Sequence, residues 1–314
     1  MNEHHPQSVS VVGVGHLGRH HVRLTRSLPG WTCVGAWDPD RSRLEAVCAE
    51  HGAPVLGSID EAIERSEALI IASPTTTHCE LVVRCLDAGR HVMVEKPIAA
   101  TVAEGEAMVA AALRSRAVLC VGHVEFFNPA VQAVLARQPS PRYIETQRLS
   151  PFSSRSLDID VVVDLMVHDL QIVQALCANA PLTEVRAVGV PVLTGKVDLC
   201  NVRVELANGC VGNLTASRVS SDRVRKLRLF EPDGYYSVDY ADQAVSAFRL
   251  VRGSPHPQIE PVAIAFDKGE PLAAEHLAFQ RACRGEPGQL VDGVAGTTAL
   301  AAAVAVVEAI SAQT

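Results

Sequence analysis

Ser8-Val9-Ser10-Val11-Val12-Gly13-Val14-Gly15-His16-Leu17-Gly18 decides the fold. A short run rich in β-branched residues ends in glycine. Three glycines then fall in G-x-G-x-x-G spacing, and His16 to Leu28 reads as a helix. Strand, turn and helix in that order are the context the motif requires. There Gly13 makes the turn, Gly15 lets backbone approach a pyrophosphate, and Gly18 lets helix and strand pack closely. The helix N-terminus offers free N–H groups and the positive end of its dipole to the phosphates. Asp38 closes the next strand about 20 residues on, where a carboxylate accepts ribose hydroxyls and repels a 2′-phosphate. NAD is therefore expected over NADP, with Arg41 and Arg43 softening the preference. Asp38-Pro39-Asp40 is also a good helix start, and Asp40 is free to cap it while Asp38 serves the ribose.

Working outward, strand and helix patterns alternate up to Val121. Strands are expected at Thr32–Trp37, Ala68–Ala72, His91–Val94 and Val118–Val121, and helices at Asp40–Glu50, Thr77–Ala88 and Val102–Ser115. Compact apolar strands separated by helices make βαβ units and a parallel sheet. Past Gly122 the texture changes. A helix over Pro129–Arg137, a strand over Tyr143–Leu149 and a helix over Asp160–Leu176 precede a series of strands between 183 and 240 without helices between them. Asn208-Gly209 marks one hairpin turn and Asp233-Gly234 a weaker one. Helices at Leu272–Arg284 and Gly296–Ile310 close the chain. The expected organisation is an α/β chain of two domains: a dinucleotide-binding domain over 1–122, and an α+β domain over 123–314 for substrate and oligomerisation.

The composition of the 314 residues narrows the function classes. Hydrophobic residues at 48% against 20% charged are enough to fill a core, which excludes disorder as the main state. A net charge of -7 without a basic face excludes a nucleic-acid binder, because phosphate neutralisation supplies most of that affinity. Nine scattered cysteines with no C-x-x-C pair speak against a disulfide framework and a structural zinc. Met1 to Ser8 lacks the layout of a signal peptide, and apolar runs are interrupted or Ala-rich, so no membrane span is expected. A cytoplasmic enzyme is the expectation.

Two further segments carry chemistry. His91-Val92-Met93-Val94-Glu95-Lys96-Pro97 puts a lysine at the C-terminal end of a parallel strand, the edge where open α/β sheets bind ligands. In the largely apolar stretch Val161–Leu176, Asp164, His168 and Gln171 fall at i, i+4 and i+7, one stripe of an α-helix. Such a stripe is either a solvent face or the wall of a cleft in which His168 takes a hydroxyl proton. A metal site is disfavoured, since two ligands at i, i+4 need a third.

Gly13-x-Gly15-x-x-Gly18, Ser73-Pro74-Thr75-Thr76-Thr77-His78, Glu95-Lys96-Pro97 and Asp164-x-x-x-His168, in this order and at these distances, resemble the glucose-fructose oxidoreductase / inositol dehydrogenase (Gfo/Idh/MocA) family over nearly the whole chain. The resemblance implies a Rossmann domain followed by a domain with an open, mostly antiparallel sheet. It also implies a homodimer or homotetramer built on that sheet. It makes Lys96, Asp164 and His168 the catalytic positions. Cofactor contacts would come from Gly13, Gly15, His16, Leu17, Gly18, Asp38, Ser73, Pro74, Thr75, His78, Glu95 and Lys96.

Finer stretches resemble the family's UDP-N-acetylglucosamine 3-dehydrogenases. They are Gly122 to Val131, Ser150 to Arg155 leading into Asp160–Asp169, and Ala216 to Arg228; Phe126 departs from the arginine common there. That resemblance makes Arg155 and Arg218 the expected diphosphate contacts. Asn128 is either a sugar contact or the N-cap before Pro129. The expected activity is NAD-dependent oxidation of a secondary sugar hydroxyl, foremost C3 of UDP-N-acetylglucosamine. A free polyol such as inositol or glucose is the alternative substrate, and a non-catalytic NAD sensor the alternative class.

Overall fold

The computed structural model describes residues 6–152, 159–253 and 255–312, which form two compact units. The first lies within residues 1–123 and 272–297, the second within 124–271 and 298–314.

In the first unit β1 (Gln7–Val12), β2 (Trp31–Trp37), β3 (Ala68–Ile71), β4 (His91–Glu95) and β5 (Leu119–Gly122) make an all-parallel sheet in the order β2-β1-β3-β4-β5. All of β3 and the inner residues of β1, β4 and β5 are buried, as in a sheet covered on both faces. The connections are α1 (Gly18–Ser27), α2 (Arg41–His51), α3 (Ile59–Arg65), α4 (His78–Asp87) and α5 (Val102–Ser115). Their ends follow local chemistry. Asp40 caps α2 by accepting the Arg43 N–H at 3.0 Å, and Thr101 with Glu104 forms a capping box on α5. The strand order reverses between β1 and β3, which makes the end of β1 the topological switch point where such sheets bind ligands.

Residues 272–297 belong to this first unit, whereas the sequence reading placed everything after 122 in the second. α8 (Pro271–Cys283) buries Phe279 against Trp31, ring centroids 5.9 Å apart, and Gln280 donates to the Pro29 carbonyl at 3.1 Å. The Val121 N–H donates to the Val291 carbonyl at 2.8 Å, so the returning chain pairs groups that the edge strand β5 would leave open.

The second unit holds α6 (Pro129–Leu135), β6 (Tyr143–Leu149), a π-helical turn (Val162–Met166), α7 (Val167–Leu176), β7 (Leu182–Val190), β8 (Leu199–Leu206), β9 (Val211–Ser217), β10 (Val224–Phe230), β11 (Gly234–Asp239), β12 (Ala244–Val251) and β13 (Gln258–Val262). The strands form an open sheet ordered β13-β12-β11-β10-β6-β9-β8-β7, antiparallel except for the pair β6–β9. Gly209, at φ 80°, turns the β8–β9 hairpin as its Asn-Gly signal predicts. One sheet face, with Ile144, Val202, Leu214 and Leu227, shares a core with Met166, Leu170 and Val173.

α9 (Gly293–Ser311) is long and apolar enough to cross a membrane by length and composition, contrary to the sequence expectation. Ala299, Ala302, Ala303, Val306 and Ile310 are buried in the second unit's core, which accounts for that apolarity.

Candidate active site

The ends of β1, β2 and β3 surround a cavity of about 400 Å3 in the first unit, lined among others by Gly13, Gly15, Asp38, Ser73, Pro74 and Thr77. The glycines divide the work. Gly13 sits at φ +87°, and a Cβ there would lie 2.7 Å from the backbone of Ala72 and Ser73; one on Gly18 would lie 2.0 Å from the Gly13 carbonyl oxygen. Both are glycine because the chain has no room. A Cβ on Gly15 would meet nothing within 4 Å. That position is bare where the cavity opens, which fits a backbone approached by a pyrophosphate. His16 and Leu17 complete the loop, with Leu17 at the entry to α1.

Asp38 is nearly buried and tethers the loop. Its Oδ2 accepts the Val14 N–H at 2.8 Å, its Oδ1 accepts the Asp40 N–H at 2.8 Å, and Arg43 stands 3.4 Å away. A carboxylate has about four acceptor sites, so two bonds to the backbone leave capacity for ribose hydroxyls.

The Ser73–His78 segment is held by its own hydroxyls and by an imidazole. Ser73 and Thr77 hydroxyls are 2.7 Å apart, and Thr75 opens a 3-10 turn. His78 is buried, with Nε2 3.0 Å from the Ser73 carbonyl and Nδ1 3.1 Å and 3.2 Å from the Pro97 and Ile98 carbonyls. Burial lowers its pKa against the pull of those carbonyls. His78 thus braces the loop after β3 against the turn after β4 and does not line the cavity.

Glu95 ends β4 almost buried. Its Oε1 is 2.9 Å from His21 Nε2, and its Oε2 accepts the Lys96 N–H at 3.2 Å. The role expected for Glu95 was cofactor contact; its two oxygens are engaged by protein groups. Lys96 follows, half-buried, and the Lys96-Pro97 bond is cis. His123, directly after β5, escaped the sequence reading as a site residue. Burial, with the nearby Lys96 charge, pushes its pKa down to about 3, so it is a neutral imidazole in the field of that lysine. Its place one residue past the C-terminal end of a parallel strand was the available signal.

In the second unit Asp164 lies in the π-helical turn and His168 in the first turn of α7, 8% exposed. The expected single α-helix over Asp160–Leu176 is therefore interrupted. The Val167 N–H bonds the Val162 carbonyl five residues back, which shifts Asp164 out of the α-helical stripe, while His168 and Gln171 keep their spacing within α7. Such π turns are frequent at functional sites. Asp169, off the stripe, makes a two-pronged pair with Arg148 of β6 at 2.8 and 2.9 Å. Arg148 also bonds Glu125 at 2.9 Å, Arg225 bonds the same Glu125 oxygen, and Tyr240 lies under the Arg148 guanidinium at 5.3 Å. Burial opposes the Arg148 charge, but its acidic partners outweigh that and hold it protonated. This network fixes α7 onto the sheet.

Of the three expected substrate contacts, Arg218 and Asn128 are engaged by the protein itself. Arg218 is 4% exposed; its Nε bonds Asp198 at 2.8 Å, and one of its terminal nitrogens bonds the Ile159 carbonyl at 2.7 Å, so the guanidinium serves the fold. Asn128 caps α6 through the Ala130 N–H at 3.1 Å and donates to the Tyr240 carbonyl at 3.0 Å, which is the capping alternative. Arg155 lies outside the described residues. Among the described residues, no group of three or more His, Cys, Asp or Glu is placed to hold a metal ion.

Residues 7–123 match the family described as oxidoreductases with an NAD-binding Rossmann fold (GFO_IDH_MocA). Over 305 residues, 96% of each chain, the sequence is 37% identical to the UDP-N-acetylglucosamine 3-dehydrogenase of Acidithiobacillus ferrooxidans. The chain belongs to the Gfo/Idh/MocA oxidoreductase family. A solved structure of the Acidithiobacillus enzyme superposes with a TM-score of 0.90 at 36% identity, covering 98% of this chain and 99% of that one. The scyllo-inositol 2-dehydrogenase (NAD(+)) of Bacillus subtilis is 28% identical over 236 residues, 69% of this chain and 68% of that one. As a Gfo/Idh/MocA protein this chain is an NAD-dependent dehydrogenase acting on CH–OH groups.

Proposed function

We propose that this dehydrogenase oxidises the C3 hydroxyl of UDP-N-acetylglucosamine or a closely related UDP-hexosamine. One observation carries the reading: identity to the 3-dehydrogenase extends over both units, not the dinucleotide-binding part alone. NAD, when bound by the glycine loop and Asp38, supplies the hydride acceptor. His168 accepts the hydroxyl proton, and Asp164 orients the sugar. Lys96 polarises the oxygen as it becomes a ketone, a charge aimed at where charge develops. His123, just past β5, stays neutral down to about pH 3 and so does not compete for the hydroxyl proton. Arg155 is the cation assigned to the diphosphate.

The protein acts in the cytoplasm as a homo-oligomer built on the open face of the second unit's sheet. That face carries a row of rings, Tyr143, Phe230, Tyr235 and Phe248, on four adjacent strands, with centroids 4.9 to 6.1 Å apart. Light scattering at micromolar concentration is expected to show a dimer or tetramer; monomer alone would refute this.

The test of substrate is NAD reduction with UDP-N-acetylglucosamine and with inositol, for the wild type and Arg155→Ala. A nucleotide-sugar enzyme loses sugar affinity in the variant; a polyol enzyme, the reading favoured by the Bacillus relative, does not. Tight NAD binding with no turnover on a broad sugar panel would favour a sensor.

A further inference from the structure

Beneath the Glu95-Lys96 peptide the first unit buries four ionisable side chains from three elements. His21 on α1, and Glu275 and His276 on α8, are fully buried; Glu95 at the end of β4 is 7% exposed. His21 stands between two partners, its Nε2 2.9 Å from Glu95 Oε1 and its Nδ1 2.9 Å from His276 Nε2. The two imidazoles are stacked, centroids 5.1 Å apart. The other Glu95 oxygen accepts the Lys96 N–H. Gly122 on the neighbouring strand makes the room, since a Cβ there would stand 3.1 to 3.2 Å from the carboxyl and Cα of Glu95. Among the described residues, neither Glu275 oxygen has a hydrogen-bond partner. Burial, then the nearness of Glu95, raises the Glu275 pKa well above the ordinary range, and burial with the charges of His21 and Arg23 holds His276 well below its own.

We propose that His21 is a positioning residue for Lys96: held through its Nδ1 by His276, it pins the Glu95 carboxylate, which holds the Lys96 peptide at the end of β4. The proposal rests on the reading of Lys96 as the group that polarises the forming ketone. A residue acting this way affects the rate more than the binding, because displacing a reacting group by about 1 Å costs on the order of 10²-fold.

The experiment compares the full-length wild type with His21→Phe, His21→Gln and Lys96→Ala, on whichever of UDP-N-acetylglucosamine and inositol the wild type oxidises faster. His21→Phe keeps the ring and loses both nitrogens. His21→Gln restores an N–H at the reach of Nε2. The expected result is a fall in kcat of roughly 10- to 100-fold in His21→Phe, with KM for NAD and sugar little changed, and recovery of most of it in His21→Gln. Wild-type kcat in His21→Phe, beside an inactive Lys96→Ala, overturns the proposal and leaves the reading of Lys96 standing. So does a loss carried by KM for NAD that His21→Gln does not restore. Full turnover in Lys96→Ala overturns the reading itself. Should His21→Phe not fold, Gly122→Ala, which crowds the Glu95 carboxyl from the other side, must show the same kcat-specific loss; an unchanged kcat there overturns the proposal.

Discussion

Gly13 and Gly15 stand two residues apart in one motif, yet the structure predicts opposite consequences for replacing them with alanine. At Gly13 the new Cβ would be 2.7 Å from three backbone atoms, at a φ of +87°. Forcing a side chain into such a conformation costs about 1–3 kcal/mol, and overpacking against backbone adds about 1–3 kcal/mol. At roughly 2–4 °C per kcal/mol for a unit of this size, Gly13→Ala lowers Tm by about 4–24 °C. At Gly15 the Cβ meets open space, so apo stability stays within about 0.5 kcal/mol. The methyl group instead occupies the approach of the pyrophosphate, and a loss of about 1.4 kcal/mol or more raises the Kd for NAD at least tenfold. Thermal unfolding without cofactor measures the first effect. Fluorescence titration with NAD measures the second, since Trp37 lines the cavity. Gly15→Ala binding NAD as tightly as wild type would refute the cradle; an unshifted Tm in Gly13→Ala would refute the packing argument.

Three other outcomes are expected. Asp38→Ala removes the tether of the Val14 N–H and the acceptor we assign to the ribose hydroxyls; the ratio of kcat/KM for NAD over NADP should fall by tenfold or more, and an unchanged ratio counts against the assignment. Asp169→Ala breaks the buried pair with Arg148 and should cost about 3–5 kcal/mol in urea unfolding; a loss under 1 kcal/mol would show that the pair does not fix α7. His123, with a folded pKa of about 3 against an ordinary 6.5, is protonated first in the unfolded chain as pH falls. Stability is therefore full above about pH 6.5 and declines toward pH 3, by about 2 kcal/mol at pH 5 from this residue. His123→Phe should lose about that much less than wild type between pH 7.5 and 5; equal losses would mean that His123 is not held neutral.

What the sequence disclosed and concealed follows from range. Elements set by local chemistry were legible: α5, from Val102 behind its Thr101 cap to Ser115, and β6, over Tyr143–Leu149, lie where the pattern places them. The glycine loop and Asp38 were legible because one turn and two strand ends bring them together. Contacts between distant residues were not. Nothing in Pro271–Cys283 announces that His276 meets His21, or that Phe279 covers Trp31. Arg218 and Asn128 have the right chemistry for a sugar nucleotide, but Asp198 and the Tyr240 carbonyl reach them first. The π turn was hidden because Val161–Met166 is apolar at nearly every position, leaving no period to read. α3 is a charged seven-residue helix, and β12 and β13 are half-exposed strands, so none carries a strong apolar signal.

The central claim is that Lys96 and His168 perform the oxidation on a UDP-sugar. Steady-state NAD reduction with UDP-N-acetylglucosamine, comparing wild type, Lys96→Ala and His168→Ala at matched NAD occupancy, tests it most directly. The account predicts turnover by the wild type and a fall of about 10²–10⁴ in kcat in each variant with NAD binding retained. Wild-type rates in both variants would contradict it.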